Sequence, residues 1–306
     1  MKTIYLNINN FRNATQPYEN QPFNIRYKKW LEIIPSSRIE HINKFKGEDD
    51  KLRSLAASIL LNMCVYEYVS SSKNASPDYS IQVSEYGKPS IPEYPSLSFS
   101  LSHSGDYAVI AFADKKECNQ IGIDIQKRNE KKSVLDIAKH FYSEAEKRII
   151  ESAESDNKDA AINLFYEIWS AKEGYIKCTG LGLSETLSDF SVVPKEEYCI
   201  EQCNNNNSPI KKSLSIIGDI FTDNGVKEAF LDNSGNFIIK NFSINSNCYK
   251  ANKSINSDAS SESQFIYSCF PKTKEYIIAD SKSRELLAFA AKVPCPLDYS
   301  CTICFK

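Results

Sequence analysis

The segment Ile121-Gly122-Ile123-Asp124-Ile125-Gln126 is an apolar alternation with an acid and an amide planted on one face. Residues two apart on a strand point the same way, so Asp124 and Gln126 form an oxygen pair while Ile123 and Ile125 enter a core. An ordinary strand end with two solvated polar residues fits the same pattern. Further along, Trp169-Ser170-Ala171-Lys172-Glu173-Gly174-Tyr175-Ile176-Lys177 has a helical period, and Trp169, Glu173 and Lys177 stack along one face at four-residue spacing. A Glu to Lys pair at that spacing is more often a solvated ion pair of small value. Here the indole on the same stripe draws both charges towards an interface. Lys172 lies one step round the helix and, on spacing alone, reads as a surface lysine.

Phe99-Ser100-Leu101-Ser102-His103-Ser104-Gly105-Asp106 ends a strand with small hydroxyls, an imidazole and a glycine, a composition suited to holding phosphate oxygens. A catalytic-triad role for His103 fails because the chain contains no Gly-x-Ser-x-Gly elbow; the alternative is a hydrogen-bonded turn histidine. Tyr86-Gly87-Lys88-Pro89 presents a lysine on a tight turn, and Arg38, His41, Lys44 and Lys51 form a loose basic group before Arg53. Charge groups of this kind are usually solvated faces. Six of the ten glycines fall between Gly87 and Gly182, the window that holds all of these motifs, and glycine collects where backbone bends sharply or approaches a ligand.

The elements that position these residues are legible in outline. Asp49 to Val69 has helical spacing of Leu52, Leu55, Ala56, Ile59, Leu60, Met63 and Val65, with Asp49 and Asp50 where a helix N-terminus favours acids. Short strands are predicted at Ile81–Val83, Leu97–Leu101, Tyr107–Ala113 and Ile121–Ile125. Helices are predicted at Val134–Phe141, at Ser143–Glu151, where Ser143 and Glu146 have capping-box spacing, and at Asp159–Cys178, closed by Gly180. Beyond Tyr198 the texture changes: Asn204–Asn207 is polyasparagine and Asn245–Ser263 is almost entirely polar. Residues 204–265 therefore read as an expanded, partly loop-like region with a strand near Phe237–Ile239, and Ile277–Ala279 and Leu286–Ala291 as edge strands closing the second half.

A chain of 306 residues with 42 % hydrophobic content buries a real core and fits two ordinary domains, expected at 1–120 and 121–306. A formal net charge of −2 excludes a bulk nucleic-acid binder, so an anionic ligand must be met locally. Met1 to Asn10 reads as a strand without the basic and apolar regions of a signal peptide, and no stretch approaches the ~20 apolar residues of a membrane span. The expected location is cytoplasmic, with no membrane contact. The ten cysteines then read as reduced thiols or core fillers. Cys301/Cys304 and Cys199/Cys203 have metal-like spacing, but His41, His103 and His140 all lie far upstream.

Taken in order, Tyr86-Gly87-Lys88-Pro89, Phe99 to Gly105, Ile121 to Ile125, Trp169-Ser170-x-Lys172-Glu173-x-x-x-Lys177 and Gly180-Leu181-Gly182-Leu183 resemble the signature series of 4'-phosphopantetheinyl transferases of the surfactin-synthetase-activating type. The resemblance runs from about Arg38 to Val193 and fades beyond residue 195. It implies an α+β fold, a pseudo-dimer of two similar halves with coenzyme A and magnesium at their junction. It also implies a monomeric enzyme that moves the 4'-phosphopantetheine arm of coenzyme A onto a serine of an apo acyl or peptidyl carrier protein. By the same resemblance Asp124 and Glu173, with Gln126, hold the magnesium; Glu173 takes the serine proton; and Lys177 stabilises the leaving phosphate. Lys88, Ser102, His103, Arg53, Arg38, Lys44 and Lys172 are then assigned to coenzyme A.

Two other classes compete: a non-catalytic coenzyme A or carrier-protein binding module, and a metal-dependent nuclease or phosphatase, which lacks the expected basic surface or His-rich clusters. His41 stands where relatives often carry a lysine, and Gln126 where many carry a second acid. An amide oxygen ligates without charge, so magnesium binding is expected to be weaker than with three carboxylates. Gln126→Glu should therefore raise the apparent magnesium affinity in a titration, and no gain counts against this reading.

Overall fold

The computed structural model describes residues 1–12, 23–70, 79–129, 134–194, 226–231, 237–241, 275–293, 295–296 and 298–306. The polar tracts Asn204–Asn207 and Asn245–Ser263, expected to be loop-like, lie outside the described residues, as does the pair Cys199/Cys203. In chain order the elements are β1 (Lys2–Asn7), α1 (Asn9–Arg12), α2 (Phe23–Leu31), α3 (Ser36–Asn43), α4 (Glu48–Ser70), β2 (Gln82–Val83), β3 (Pro89–Ser90), β4 (Leu97–Ser104), β5 (Tyr107–Asp114) and β6 (Ile121–Lys127). There follow α5 (Val134–Phe141), α6 (Glu144–Asp156), α7 (Lys158–Thr179), β7 (Phe190–Pro194), β8 (Val226–Leu231), β9 (Phe237–Asn241), β10 (Glu275–Asp280), β11 (Leu286–Lys292) and β12 (Tyr299–Phe305).

Two five-stranded sheets result, ordered β4-β5-β1-β8-β9 and β6-β12-β11-β10-β7. The chain first passes from one sheet to the other between β5 and β6. Sheet membership does not follow a division at residue 120, however. Val226–Leu231, expected in the second half, runs parallel to β1 with Thr3 opposite Val226, and carries β9 with it into the first sheet. The reason is the free edge of β1: β5 covers one side only, and β8 satisfies the backbone groups on the other. Ile277–Ala279 and Leu286–Ala291, expected as edges, are interior strands, because β10 lies between β11 and β7 and β11 between β12 and β10.

The local signals explain the helices. α4 opens on Glu48, Asp49 and Asp50, which suit the positive end of its dipole. α6 opens on the full capping box, with the Ser143 side chain accepting from the Glu146 amide and the Glu146 side chain accepting from the Ser143 amide. α7 is capped by the Asn157 side chain, which accepts from the amides of Asp159 and Ala160, and ends at Gly180 in the left-handed conformation, φ 74°.

Three buried clusters make the layers. α4 packs its Leu52, Leu55, Ile59 and Leu60 on the face of the first sheet formed by Ile4, Leu6, Phe99 and Ile110. α7 covers the outer face of the second sheet through Phe165, Ile168, Ala171 and Tyr175 against Val192, Ile278 and Ala290. Between the sheets lie Tyr5, Val109 and Ala111 from one side and Ile121, Ile123, Ile125 and Ile303 from the other. Cys301 and Cys304 are three apart on β12, which sends them to opposite faces: Cys301 into the inter-sheet cluster, Cys304 against α7.

α7 approaches β6 more closely than side chains would permit. A Cβ on Gly122 would overlap the Gly174 carbonyl oxygen and the Cys178 amide nitrogen, and one on Gly174 would stand 3.2 Å from the Thr302 carbonyl oxygen. These glycines set the height of the helix above the strand. Gly122→Ala must push rigid backbone apart, so a loss of about 3 kcal/mol or more of unfolding free energy is expected in urea denaturation; a loss below about 1 kcal/mol would mean the contact is loose.

Candidate active site

β4 and β6 are edge strands of different sheets, and they meet through side chains. Ser100, Ser102 and Ser104 project from one face of β4, and their hydroxyl oxygens accept from the backbone amides of Ile123 (3.0 Å), Ile125 (3.3 Å) and Lys127 (3.0 Å). Ser98 adds a bond to the Asn119 carbonyl at 3.3 Å. The unpaired edge of β6 is thus satisfied by hydroxyls rather than by a neighbouring backbone.

Asp124 sits between two rungs of this ladder and is only 2 % exposed. Its Oδ1 accepts from Ser102 Oγ at 2.7 Å and from Lys177 Nζ at 2.6 Å, and Lys177 Nζ also donates to Ser102 Oγ at 2.8 Å. Ser102 therefore uses its one proton and both lone pairs inside the protein. Its expected contact with a coenzyme A phosphate has no free valence here, and the hydroxyl instead orients Asp124 and Lys177. Asp124 Oδ2 is buried with no hydrogen-bond partner among the described residues. Such an atom is costly unless a ligand completes it.

Glu173, one turn before Lys177, is half-buried beside Asp124. Burial first, and then the Asp124 charge, push its carboxyl pKa up, while Lys177 pulls it down. Gln126 is half-buried two residues along β6 from Asp124, opposite Ser300 of β12. No group of three or more His, Cys, Asp or Glu side chains is arranged to hold a metal among the described residues.

A basic face borders the acids. His103 is exposed beside Lys177 and Arg53, and desolvation together with those two charges lowers its pKa. Arg53 is held on α4 by bonds to the Gly105 carbonyl (2.9 Å) and to Asp50 Oδ1 (2.6 Å). Lys88 donates to the Cys178 carbonyl at 2.6 Å and the Ile121 carbonyl at 3.4 Å. It thereby caps the end of α7 and ties the Tyr86–Pro89 turn to both site elements. Arg38 donates from Nε to Ser58 Oγ at 2.9 Å on α4, and burial lowers its pKa. With exposed Lys44 it flanks His41, whose pKa falls through burial and these two neighbouring charges.

Lys172 is the clearest departure from expectation. It is neither a surface lysine nor directed at the site: it is fully buried, 2.9 Å from Glu146 Oε2. It also donates to the carbonyls of Leu187 (2.7 Å) and Phe190 (2.6 Å) and lies over the rings of Phe190 and Tyr142. Five residues from Lys177 is about 140° around the helix, which turns it into the core. Glu146 in turn accepts from the amides of Ser143 and Val192. The capping-box spacing revealed Glu146 as a cap but not as the partner of Lys172. The serine ladder was likewise missed, although serine at 98, 100, 102 and 104 has the period of a strand face.

With this arrangement defined, comparison with known proteins places the chain. Residues 120–231 match the model of the 4'-phosphopantetheinyl transferase superfamily, and residues 19–115 that of the 4'-phosphopantetheinyl transferase N-terminal domain. The 4'-phosphopantetheinyl transferase Sfp of Bacillus subtilis (strain 168) is 34 % identical over 165 residues, 54 % of this chain and 68 % of that protein. The psf-1 transferase of Bacillus pumilus is 32 % identical over 184 residues, 60 % of this chain and 73 % of that one. The mouse L-aminoadipate-semialdehyde dehydrogenase-phosphopantetheinyl transferase is 31 % identical over 183 residues, 54 % and 56 % of the two chains. The chain belongs to the 4'-phosphopantetheinyl transferase superfamily, and its resemblance is to the Sfp type.

Removing one partner of the buried Lys172–Glu146 pair strands the other charge. Lys172→Met should cost about 3–5 kcal/mol in chemical denaturation, and Lys172→Met with Glu146→Gln should recover part of that loss. A double variant as unstable as the sum of the two single ones would show that the two groups do not interact.

Proposed function

We propose that this protein transfers the 4'-phosphopantetheine group of coenzyme A to a serine hydroxyl of an apo acyl or peptidyl carrier protein, releasing adenosine 3',5'-bisphosphate. The observation that carries the reading is the placement of Asp124 and Glu173 together, with Lys177, His103 and Arg53 on the adjoining basic face. An acidic pair beside a basic face is what a diphosphate with a divalent cation requires.

The donor set suits magnesium. Two carboxylates, one with a buried unpartnered oxygen, and the amide of Gln126 leave the remaining positions of a hard six-coordinate ion to phosphate oxygens and water. Asp124 and Glu173 would hold the ion, with Gln126 as the neutral third donor, and when bound it neutralises charge on the diphosphate. The chain's own groups do the rest. Glu173 accepts the proton of the carrier serine, whose oxygen bonds to the phosphorus bearing pantetheine. The bond from that phosphorus to the 5'-phosphate oxygen of the adenosine bisphosphate breaks. Lys177 donates to the departing phosphate, and Arg53 and His103 face the nucleotide's phosphates, with Arg38, Lys44 and Lys88 as further basic groups on the same half.

Among the described residues no helix is long and apolar enough to cross a membrane. A cytoplasmic location and a monomeric state belong to the same proposal.

The direct test incubates the protein with coenzyme A, magnesium and an apo carrier, and follows the carrier by intact mass. A gain of one phosphopantetheine arm, lost on chelation of the metal, supports the reading; coenzyme A binding without that gain supports a binding module. Glu173→Gln should lower kcat by about 10²–10⁴-fold. Because burial and the Asp124 charge raise its pKa, Glu173 in the metal-free protein should take up its proton above the ordinary ~4.3 of a glutamate, read by NMR titration of its carboxyl carbon. A midpoint at or below that value would show that neither burial nor Asp124 acts on this carboxyl.

A further inference from the structure

We propose that Lys177 is a resident counter-cation that occupies Asp124 until a diphosphate draws it away, so that divalent metal and coenzyme A bind interdependently. This inference rests on the function proposed above and goes further, to the order in which that site fills.

Asp124 and Glu173 bring two carboxylates within electrostatic reach of each other, and Lys177 is bonded to the first of them. Its Nζ stands 2.6 Å from Asp124 Oδ1 and lowers the Glu173 pKa that Asp124 raises. Ser102 completes the grip, accepting from Lys177 at 2.8 Å while donating to the same Asp124 oxygen at 2.7 Å. A divalent ion arriving alone must compete with an ammonium already bound to its principal ligand, and two like-signed centres beside one carboxylate repel. The ammonium is not locked in place. It lies at the end of a flexible four-carbon stem whose side chain is 31 % exposed, next to His103 on the face shared with Arg53.

An anionic phosphate on that basic face offers Lys177 an equivalent partner and turns the repulsion among the cations into attraction. The lysine then leaves Asp124, both Asp124 oxygens become available to the metal, and each ligand raises the affinity of the other by the same factor. Lys172 provides the internal contrast. It is a lysine of the same helix with no exposure, fixed by Glu146, two carbonyls and two rings, and it cannot exchange partners.

The test titrates the full-length protein with Mn²⁺ and reads free metal by electron paramagnetic resonance, with and without coenzyme A, subtracting a titration of coenzyme A alone. Wild type should bind Mn²⁺ weakly by itself and about tenfold or more tightly once coenzyme A is present, since a charge-assisted bond to Asp124 is exchanged in the process. Lys177→Met and Lys177→Gln should bind Mn²⁺ alone about tenfold more tightly than wild type, and coenzyme A should tighten their binding by a correspondingly smaller factor, because only the diphosphate's own ligation of the metal remains. Lys177→Arg should behave as wild type, and circular dichroism verifies that each variant is folded. Folded Lys177→Met and Lys177→Gln proteins that bind Mn²⁺ alone no more tightly than wild type, while coenzyme A still strengthens binding, overturn the counter-cation and leave the proposed function standing. If no protein retains Mn²⁺ even with coenzyme A, the metal reading of Asp124 and Glu173 falls, and the inference with it.

Discussion

The joint between the two sheets is a row of serine hydroxyls, and the site is built out of that joint. β4 and β6 each end a sheet, and an exposed strand edge leaves its amides unpaired. Direct backbone pairing would have fused the sheets into one and placed every β6 side chain at a fixed height against β4. Interposing a side chain at Ser100, Ser102 and Ser104 satisfies the same amides while holding the sheets as separate layers. A hydroxyl, unlike a carbonyl, also has a proton to give. At the middle rung that proton goes to Asp124, so the atom that links the halves also sets the orientation of the carboxylate between them.

Everything on α7 is then a matter of height and rotation. Height comes chiefly from Gly122, where an added Cβ would overlap the backbone of α7, and in smaller part from Gly174, where it would meet the Thr302 carbonyl oxygen at a tight 3.2 Å. Rotation comes from Lys172. A buried ion pair gives little net stability, because desolvating two charges costs about as much as their attraction returns. Yet the Lys172 ammonium finds all of its partners only when the helix is turned so that Glu146, Leu187 O and Phe190 O surround it. With Lys172 fixed in the core, Glu173 and Lys177 are carried to the β6 side, and Ser170 reaches Ser300 and Thr302 of β12 from the same face. The fold thus places a pair of charges where burial makes their geometry strict, and uses it to aim a second set where mobility is needed.

How much of this the sequence disclosed follows from the range of each interaction. Helices α4, α5, α6 and α7 were readable because period, caps and glycine stops are local signals, and Asp124, Glu173 and Lys177 stood out because two-residue and four-residue spacings place side chains on shared faces without further information. The destination of Lys172 was not readable: spacing says that it leaves the Glu173 face, but not that Glu146, 26 positions earlier, waits there. The interior placement of β10 and β11 was missed for a related reason. Their short runs look alike at an edge or a centre, and the order β6-β12-β11-β10-β7 is decided by strands far apart in the chain. The serine alternation was visible but ambiguous, since hydroxyls that grip a phosphate and hydroxyls that grip a neighbouring strand have the same composition.

The two sheets are also tied by their chain path, which bears on how the site is assembled. β1, the first strand, lies in the interior of its sheet only because β8 arrives from more than two hundred residues later and pairs with it in parallel. The first sheet is therefore incomplete until the chain has passed through β6 and β7 of the second, and neither half owns all of its hydrogen bonds. Such long-range pairings cost loop-closure entropy before any contact repays it. They are favourable only if the inter-sheet core of Tyr5, Val109, Ile123 and Ile303 closes at the same time. Closure of that core is also what brings Ser102 to Asp124. The neighbourhood of Asp124 therefore depends on the docking of the two layers, since Ser102 comes from the first sheet and Asp124 from the second.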